Sequence, residues 1–412
     1  MLINYLKTAV KVLGRRKFFT FISLFGISLT LVVLMVATAI LDNLFEPRAP
    51  ESRFDRVLGV YRVAMRGPEF SRTSGPGYGF VRKYVAGLEG AEATSFFTDA
   101  NRTALYHEGR KIETHVRRTD GTYWRILDFD FLGGGPFTED DDRNARNVAV
   151  ITDVMRNRLF GASAGIGQTF EFEGKVFRVV GVVRSVAITR QAGFSQIWVP
   201  VSTLNLAGEE RALLGEFNAI VLARSTGDFA RLRTEFDQRL ATFVSDDPRF
   251  ATLEAGLDTP FESIARATLG NEMGPRRTMV LRLILLLAAL GFLTLPTMNL
   301  VSINLSRIME RASEIGVRKA FGASSRTLVG QFVIENVVLT MIGGVVGFLL
   351  SLVVLRALTL VEVIPFAVFD VNLRIFGWGM LAAVVFGVIS GVYPAWRMSR
   401  MQPVNALRGG AL

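Results

Sequence analysis

His107 and His115 are the only histidines in the chain, and with Glu108 and Glu113 they form the set of side chains best suited by type to hold a divalent metal. Their spacing argues against a shared ion. Asn101–Arg118 reads as a hairpin turning at Glu108-Gly109-Arg110. That puts His107 beside the turn and His115 about four residues up the facing strand, too far apart at about 3.3 Å per residue. Surface histidines are the expectation. The run Glu139-Asp140-Asp141-Asp142 offers oxygen ligands to a hard cation such as Ca²⁺. It lacks the alternating spacing and following glycine of a calcium loop, and Arg143 and Arg146 stand ready to neutralise it, so a solvated loop is expected.

Other chemistry is excluded by absence of residue types. Gly133-Gly134-Gly135 leads to Pro136 rather than to a lysine and a helix, and no Gly-x-x-x-x-Gly-Lys-Ser/Thr occurs, so the sequence contains no loop to cradle a nucleotide's phosphates. There is no cysteine, which removes thiol catalysis, disulfides and cysteine metal sites. No Ser/His/Asp arrangement is visible, and two histidines leave few general bases. The expectation is a chain with no catalytic, cofactor or metal residues of its own, not an enzyme.

What remains is contact chemistry, and the elements that would position it are apolar. Half of the residues are hydrophobic and the formal net charge is +10. Four runs carry no charge for about 20 residues or more, enough at about 1.5 Å per residue to cross a hydrocarbon layer about 30 Å thick: Phe18–Leu41, Leu283–Ser306, Asn336–Leu355 and Ile375–Trp396. The third is expected to start earlier, near Thr327. The first is too long for a signal peptide and lacks a polar lead into Ala37-Thr38-Ala39, so it is read as a retained helix. Basic residues crowd against these runs instead of forming a separate patch interleaved with aromatics, which argues for positive-inside topology and against nucleic acid. Lys7, Lys11, Arg15, Arg16 and Lys17 precede the first run, while Arg397, Arg400 and Arg408 follow the fourth. Both termini are therefore expected in the cytoplasm.

The expected order is a cytoplasmic segment 1–17, a first helix 18–41, an extracytoplasmic domain 42–277, a second helix 278–306, and a cytoplasmic loop 307–326. A third helix 327–355, an outer loop 356–374, a fourth helix 375–396 and a tail 397–412 complete it. The fold class is a membrane protein with four transmembrane α-helices plus a large extracytoplasmic α+β domain between helices 1 and 2. In that domain the alternation predicts strands at Arg56–Val63, Thr103–Tyr106, Ile112–Val116, Val148–Ile151, Thr169–Phe172, Val176–Val183, Ile197–Val199 and Ala219–Ala223. Helical periodicity predicts Tyr78–Leu88, Val154–Phe160 and Asp228–Phe243.

Two membrane features bear on coupling. In Glu314–Ala323, Ile315, Lys319 and Gly322 recur at helical intervals, Gly316 and Gly322 permit close approach, and Arg311, Arg318 and Lys319 give a positive rim. Such a peg could enter a protein socket or lie on anionic lipid. Within the helices, Glu335 should face the bundle or the inner interface. Pro296, with Asn299 and Asn304 beyond it, should kink or loosen its helix. Gly343-x-x-x-Gly347 and Gly387-x-x-x-Gly391 offer small faces for helix packing, within one chain or across a dimer seam.

Several of these stretches together resemble a known family. Glu314-Ile315-Gly316-Val317-Arg318-Lys319-Ala320-Phe321-Gly322-Ala323 is similar to the coupling-helix motif of the MacB/FtsX superfamily (type VII) of ABC-transporter permeases. Gly391-Val392-Tyr393-Pro394-Ala395-Trp396-Arg397, followed by Gln402-Pro403-Val404-Asn405-Ala406-Leu407-Arg408, is a second signature of that superfamily. Phe131–Phe137, Asn147–Ile151, Arg158–Gly161, Ile166–Gln168 and Phe177–Val183 resemble a MacB-like periplasmic core domain.

The resemblance implies a permease subunit of the bacterial inner membrane working by mechanotransmission. A separate cytoplasmic ABC ATPase would bind ATP and Mg and receive the loop containing Arg311, Glu314–Ala320, Gly322 and Ala323. It also implies an anchoring role for Glu335, a second permease as homo- or heterodimer partner, and room for a periplasmic adaptor. The transported substrate stays open. An FtsX-like regulatory scaffold acting on an extracytoplasmic partner, such as a cell-wall hydrolase, is the alternative, although its outer part is usually much smaller than 42–277.

Overall fold

The computed structural model describes residues 17–161, 165–204, 206, 208–270, 276–291, 317, 321 and 324–399. They fall into two compact units. One gathers the long apolar helices and the other the segment between the first two of them, together with Ile364–Ala367.

In the helical unit, α1 spans Lys17–Phe45. Its buried positions Ile27, Leu31, Met35 and Ala39 recur every fourth residue, while Phe21, Phe25, Leu29 and Val33 on another side are exposed. A helix apolar on both sides belongs in lipid rather than in water. Among the described residues Thr20–Phe45 and Val333–Leu360 are long and apolar enough to cross a bilayer, and Leu373–Val385 is a shorter apolar stretch. The remaining helices of the unit are the helical residues 282–291, Ser325–Leu360 and Leu373–Ser399.

The other unit is α+β. Its strands are β1 Val57–Val60, β2 Val63–Arg66, β3 Ser71–Pro76, β4 Ala91–Thr98, β5 Asn101–His107, β6 Arg110–Thr119 and β7 Phe131–Gly134. They continue with β8 Val148–Thr152, β9 Thr169–Phe172, β10 Lys175–Val183, β11 Ile197–Pro200, β12 Leu214–Gly215, β13 Phe217–Ala223 and β14 Thr252–Ala255. Among the described residues, the α-helices of five residues or more, in chain order after α1, are α2 Glu139–Arg143, α3 Asp153–Phe160, α4 Phe229–Ala241 and α5 Pro260–Leu269. Then come α6 at 276–291, α7 Ser325–Leu360 and α8 Leu373–Ser399.

The large sheet runs β1-β13-β4-β6-β11-β8-β10-β9-β5, with β7 added on β10. Because β5 also pairs with β6, the strands β6, β11, β8, β10, β9 and β5 close on one another. Leu105, Val116, Ile151, Phe170, Phe177 and Val199 fill that closure, with Met155 and Leu159 of α3. A small sheet, β12-β3-β2-β14, accompanies the large one. α4 forms because its apolar residues fall at 232, 236 and 240, one face of a helix. That face buries Leu232, Phe236 and Leu240 against Phe80, Tyr84 and Val221. Full burial of one such side chain contributes about 1.5–3 kcal/mol, more than the propensity of any single residue in the helix.

Three local expectations change. The strand foreseen over Arg56–Val63 is broken at Tyr61-Arg62: β1 pairs with β13 in the large sheet, β2 with β3 and β14 in the small one. The Tyr61 ring folds back over Gly59, where a Cβ would come within 2.4 Å of it. The helix foreseen over Tyr78–Leu88 is a short α segment, Tyr78–Phe80, running into a π-helix, Val81–Val85. Arg239 of α4 donates to the Ala86 and Gly87 carbonyls just after it, and Gly87 turns at positive φ. The acidic run is α2, not a loop. Thr138 accepts from the Asp141 amide and the Asp141 carboxylate accepts from the Thr138 amide, a reciprocal N-terminal cap, and carboxylates in a first turn suit the helix dipole.

Candidate functional site

Each chemically suggestive cluster of the outer unit has an ordinary partner. β5 and β6 pair as a hairpin turning at Glu108-Gly109, both at positive φ. His107 faces Arg110 across the ladder while His115 faces Arg102, so the two rings lie at different levels. His107 packs edge-on to Phe160 and His115 to Phe194. In α2, Asp140 pairs with Arg143 and Asp141 with Arg146, each at 2.9 Å, and Asp142 accepts from the Ser202 amide and hydroxyl. Gly134 stands at positive φ where β7 pairs with β10, and a Cβ there would come within 2.1 Å of the Val180 carbonyl oxygen, so this glycine serves close strand packing.

The Glu314–Ala323 motif is described only at Val317 and Phe321. Val317 is helical, the Phe321 amide donates to its carbonyl at 3.0 Å, and the Phe321 ring is 88% exposed. Arg311, Glu314, Ile315, Gly316, Arg318, Lys319, Ala320, Gly322 and Ala323, together with Pro296, lie outside the described residues. The loop ends at Ser324, whose hydroxyl accepts from the Thr327 amide at 3.2 Å and so starts α7. Glu335 of α7 is buried and accepts from Gln331 at 3.1 Å.

Further along α7 the glycines meet α1. A Cβ on Gly343 would come within 2.9 Å of Ile27, and one on Gly347 within 3.1 Å of both Leu31 and the Ser28 Cα. The Ser28 hydroxyl donates to the Gly343 carbonyl at 2.9 Å, and Leu339 packs with Ile27 and Leu31. On α8, Gly379 lies against Leu34, and the Phe376 ring packs tilted against Phe348 with ring centres 4.8 Å apart. Gly387 and Gly391 also lie on α8, but their surroundings are outside the described residues. At the other end of these helices, Asn372 donates to Asp42 at 2.9 Å and Asn43 to the Val368 carbonyl at 3.3 Å.

Sequence reasoning missed a polar network in the outer unit. Glu51 and Arg190, 4% and 5% exposed, face each other at 3.6 Å. Burial pushes the Glu51 carboxyl up, against the pull of the Gly193 amide and the Arg190 charge. Arg117, buried on β6 over the Phe97 ring, donates to the Gln191 and Ala192 carbonyls, and Tyr123 donates to Ala192 as well. Burial raises the Tyr123 hydroxyl to about 12. Asp120 is lifted to about 7 by burial, although it accepts from Ser95, Phe96 and Tyr123. One signal was available: Arg117 and Arg118 are adjacent on one strand and so point to opposite faces, which puts one guanidinium on the buried face and demands partners for it there.

Residues 20–239 match the family model described as MacB-like periplasmic core domain, and residues 286–403 match the one described as FtsX-like permease C-terminal. The chain belongs to the MacB/FtsX-type ABC transporter permeases. It is 25% identical to the ABC transporter permease YknZ of Bacillus subtilis (strain 168) over 334 residues, covering 79% of this chain and 77% of the relative. It is 29% identical over 300 residues to the pyoverdine export ATP-binding/permease protein PvdT of Pseudomonas fluorescens (strain Pf0-1), covering 71% of this chain and 42% of that one. Against the macrolide export ATP-binding/permease protein MacB of Nitrobacter winogradskyi, identity is 26% over 302 residues, 73% of this chain and 44% of the relative. The chain thus spans less than half the length of the ATP-binding/permease relatives.

Proposed function

We propose that this chain is the permease subunit of a mechanotransmitting ABC transporter, with four membrane spans, both termini in the cytoplasm and residues 42–277 outside an inner membrane. Its inner loop, Glu314–Ala323, docks on a separate ATPase that holds ATP and Mg. A second permease completes the complex, and export or extraction of a substrate results from motion of the outer domains. The relatives named for pyoverdine and macrolide export make an exported small molecule one candidate cargo.

The observation that carries this reading is the seating of α7, which begins at the loop, on α1, which leads into the outer domain. Glycine contacts at Gly343 and Gly347 and the Ser28 hydroxyl bond leave little slack between the two helices. A push on the loop is therefore felt along α1. The test is Gly316→Trp in the permease reconstituted with its ATPase. Loss of permease-stimulated ATP hydrolysis, with insertion and melting unchanged, is expected, because an indole would hold the loop off its socket. Full stimulation by the variant would refute the docking assignment.

A further inference from the structure

Two arginines of the helical unit stand on surfaces that are otherwise apolar. On α7, Val345, Leu349, Val353 and Leu360 are exposed at helical spacing, while Ser351 and Leu355 on another side are buried. Arg356 is exposed on that same stripe, between Val353 and Leu360, and the residues one turn from it carry no charge. On α8, Trp378, Leu381 and Val385 form a second exposed stripe, and Arg374, one turn before Trp378, is exposed with them. Among the described residues neither arginine side chain makes a hydrogen bond or an ion pair, with Glu362 and Asp370 of the connecting segment included. The Phe348 and Phe376 rings, 4.8 Å apart, and the approach of Gly344 to Met380 set α7 and α8 antiparallel and in register. Measured from the Phe348–Phe376 level toward the connection between the helices, Arg356 lies about 12 Å along and Arg374 about 3 Å, at about 1.5 Å per residue.

Both arginines are costly unless something outside the protein meets them. A guanidinium on a lipid-facing stripe is expensive in hydrocarbon, and a long side chain relieves that cost only by reaching the interface. Placement at the outer end of a span runs against the bias that keeps cations inside. Arg374 also sits in the first turn of α8, where the helix dipole opposes a cation. The first amides of that helix are already occupied, since the Asn372 side-chain carbonyl accepts from the Arg374 and Ile375 amides at 3.1 and 3.2 Å. A lipid phosphate answers each of these costs: it is anionic, it lies at the interface, and it takes two parallel hydrogen bonds from a guanidinium fork. Trp378, 64% exposed, adds an amphipathic ring of the kind that settles at the headgroup boundary. We propose that Arg356 and Arg374 bind the phosphates of anionic phospholipid in the outer leaflet, so that the outer ends of α7 and α8 form a lipid-recognition surface. This rests on the topology reading, in which the connection between α7 and α8 is outside.

The chain has no cysteine, so Leu360→Cys, one turn beyond Arg356, gives a unique attachment point for a fluorophore. The full-length labelled permease is reconstituted in phosphatidylcholine vesicles that contain increasing fractions of brominated phosphatidylglycerol or of brominated phosphatidylcholine, and the two quenching curves are compared. An arginine at the surface enriches anionic lipid about fivefold, so half-maximal quenching should need about fivefold less phosphatidylglycerol than phosphatidylcholine. Arg356→Gln with Arg374→Gln should bring the curves together at an unchanged melting temperature, while Arg356→Lys with Arg374→Lys, which keeps both charges, should leave them apart. Superimposed curves in the parent would overturn the lipid site, and so would a separation that survives the glutamine pair. Collapse of the parental separation on adding millimolar inorganic phosphate at constant ionic strength would show a site for soluble anions and overturn the lipid assignment as well. Topology is read independently: Leu360→Cys should react with an impermeant thiol reagent on intact cells. Failure to label there refutes the outward placement itself, whereas labelling combined with superimposed curves refutes the lipid site and leaves the topology standing.

Discussion

Placing side chains on the glycines of α7 should have opposite effects at two positions of that one helix. At Gly347 a Cβ would stand 3.1 Å from the Leu31 Cβ and the Ser28 Cα and 3.2 Å from the Ser28 carbonyl oxygen, so part of what it strikes is backbone that cannot rotate away. Gly347→Val adds two more methyl groups beyond that first contact. Overpacking of this kind costs about 1–3 kcal/mol, which is roughly a 5- to 150-fold change in an equilibrium between seated and separated helices. Gly330, on the same helix, has nothing within 4 Å of where a Cβ would stand, so Gly330→Ala meets no neighbour and gains about 0.8–1 kcal/mol of helix propensity. The assay is thermal unfolding of the purified protein in detergent, followed by intrinsic tryptophan fluorescence, with ATPase stimulation measured in parallel. Gly347→Val should melt below the parent and couple poorly, and Gly330→Ala should melt at or above it. If Gly347→Val melted like the parent but dissociated a dimer, the glycine face would be an intermolecular seam and the intramolecular seating on α1 would be wrong.

The folded-state carboxyl of Asp120 is raised by burial to about 7 from an ordinary value near 3.8, so the folded protein binds a proton there that the unfolded chain releases. Stability should therefore fall as pH rises from about 4 to 7 and then level off, by up to a few kcal/mol from this group; Asp120→Asn should flatten that part of the melting-temperature profile, and an identical pH dependence in the variant would sink the assignment. Single cysteines at Glu108 and Ser313 test topology in intact cells treated with an impermeant thiol reagent: labelling at Glu108 alone is expected, and labelling at Ser313 alone would invert the membrane order.

Much of the architecture is written locally. Uncharged runs long enough for a bilayer, flanked by arginines and lysines, mark α1, α7 and α8 because burying a charge in hydrocarbon is expensive whatever the neighbours. Alternation placed the β5–β6 hairpin, with Glu108-Gly109 at its turn, and β9, since side chains on a strand alternate faces regardless of which strand pairs beside them, while short unbroken β-branched and aromatic runs marked β8, β11 and most of β10.

Tertiary structure decided the rest. No local rule could say that the chain switches sheets at Tyr61-Arg62, that β5 closes back on β6, or that β3, β4 and β14 form at all, because sheet order depends on pairings between distant residues. The acidic run became α2 only because the Thr138 cap satisfies its first amides. Gly343 and Gly347 were visible as a small face, but which helix lies against them is set by Ile27, Ser28 and Leu31, more than 300 residues away. Glu51, Arg117 and Arg190 carry no motif: their shared role exists only once folding brings their segments together around 185–196, where desolvation makes each hydrogen bond obligatory.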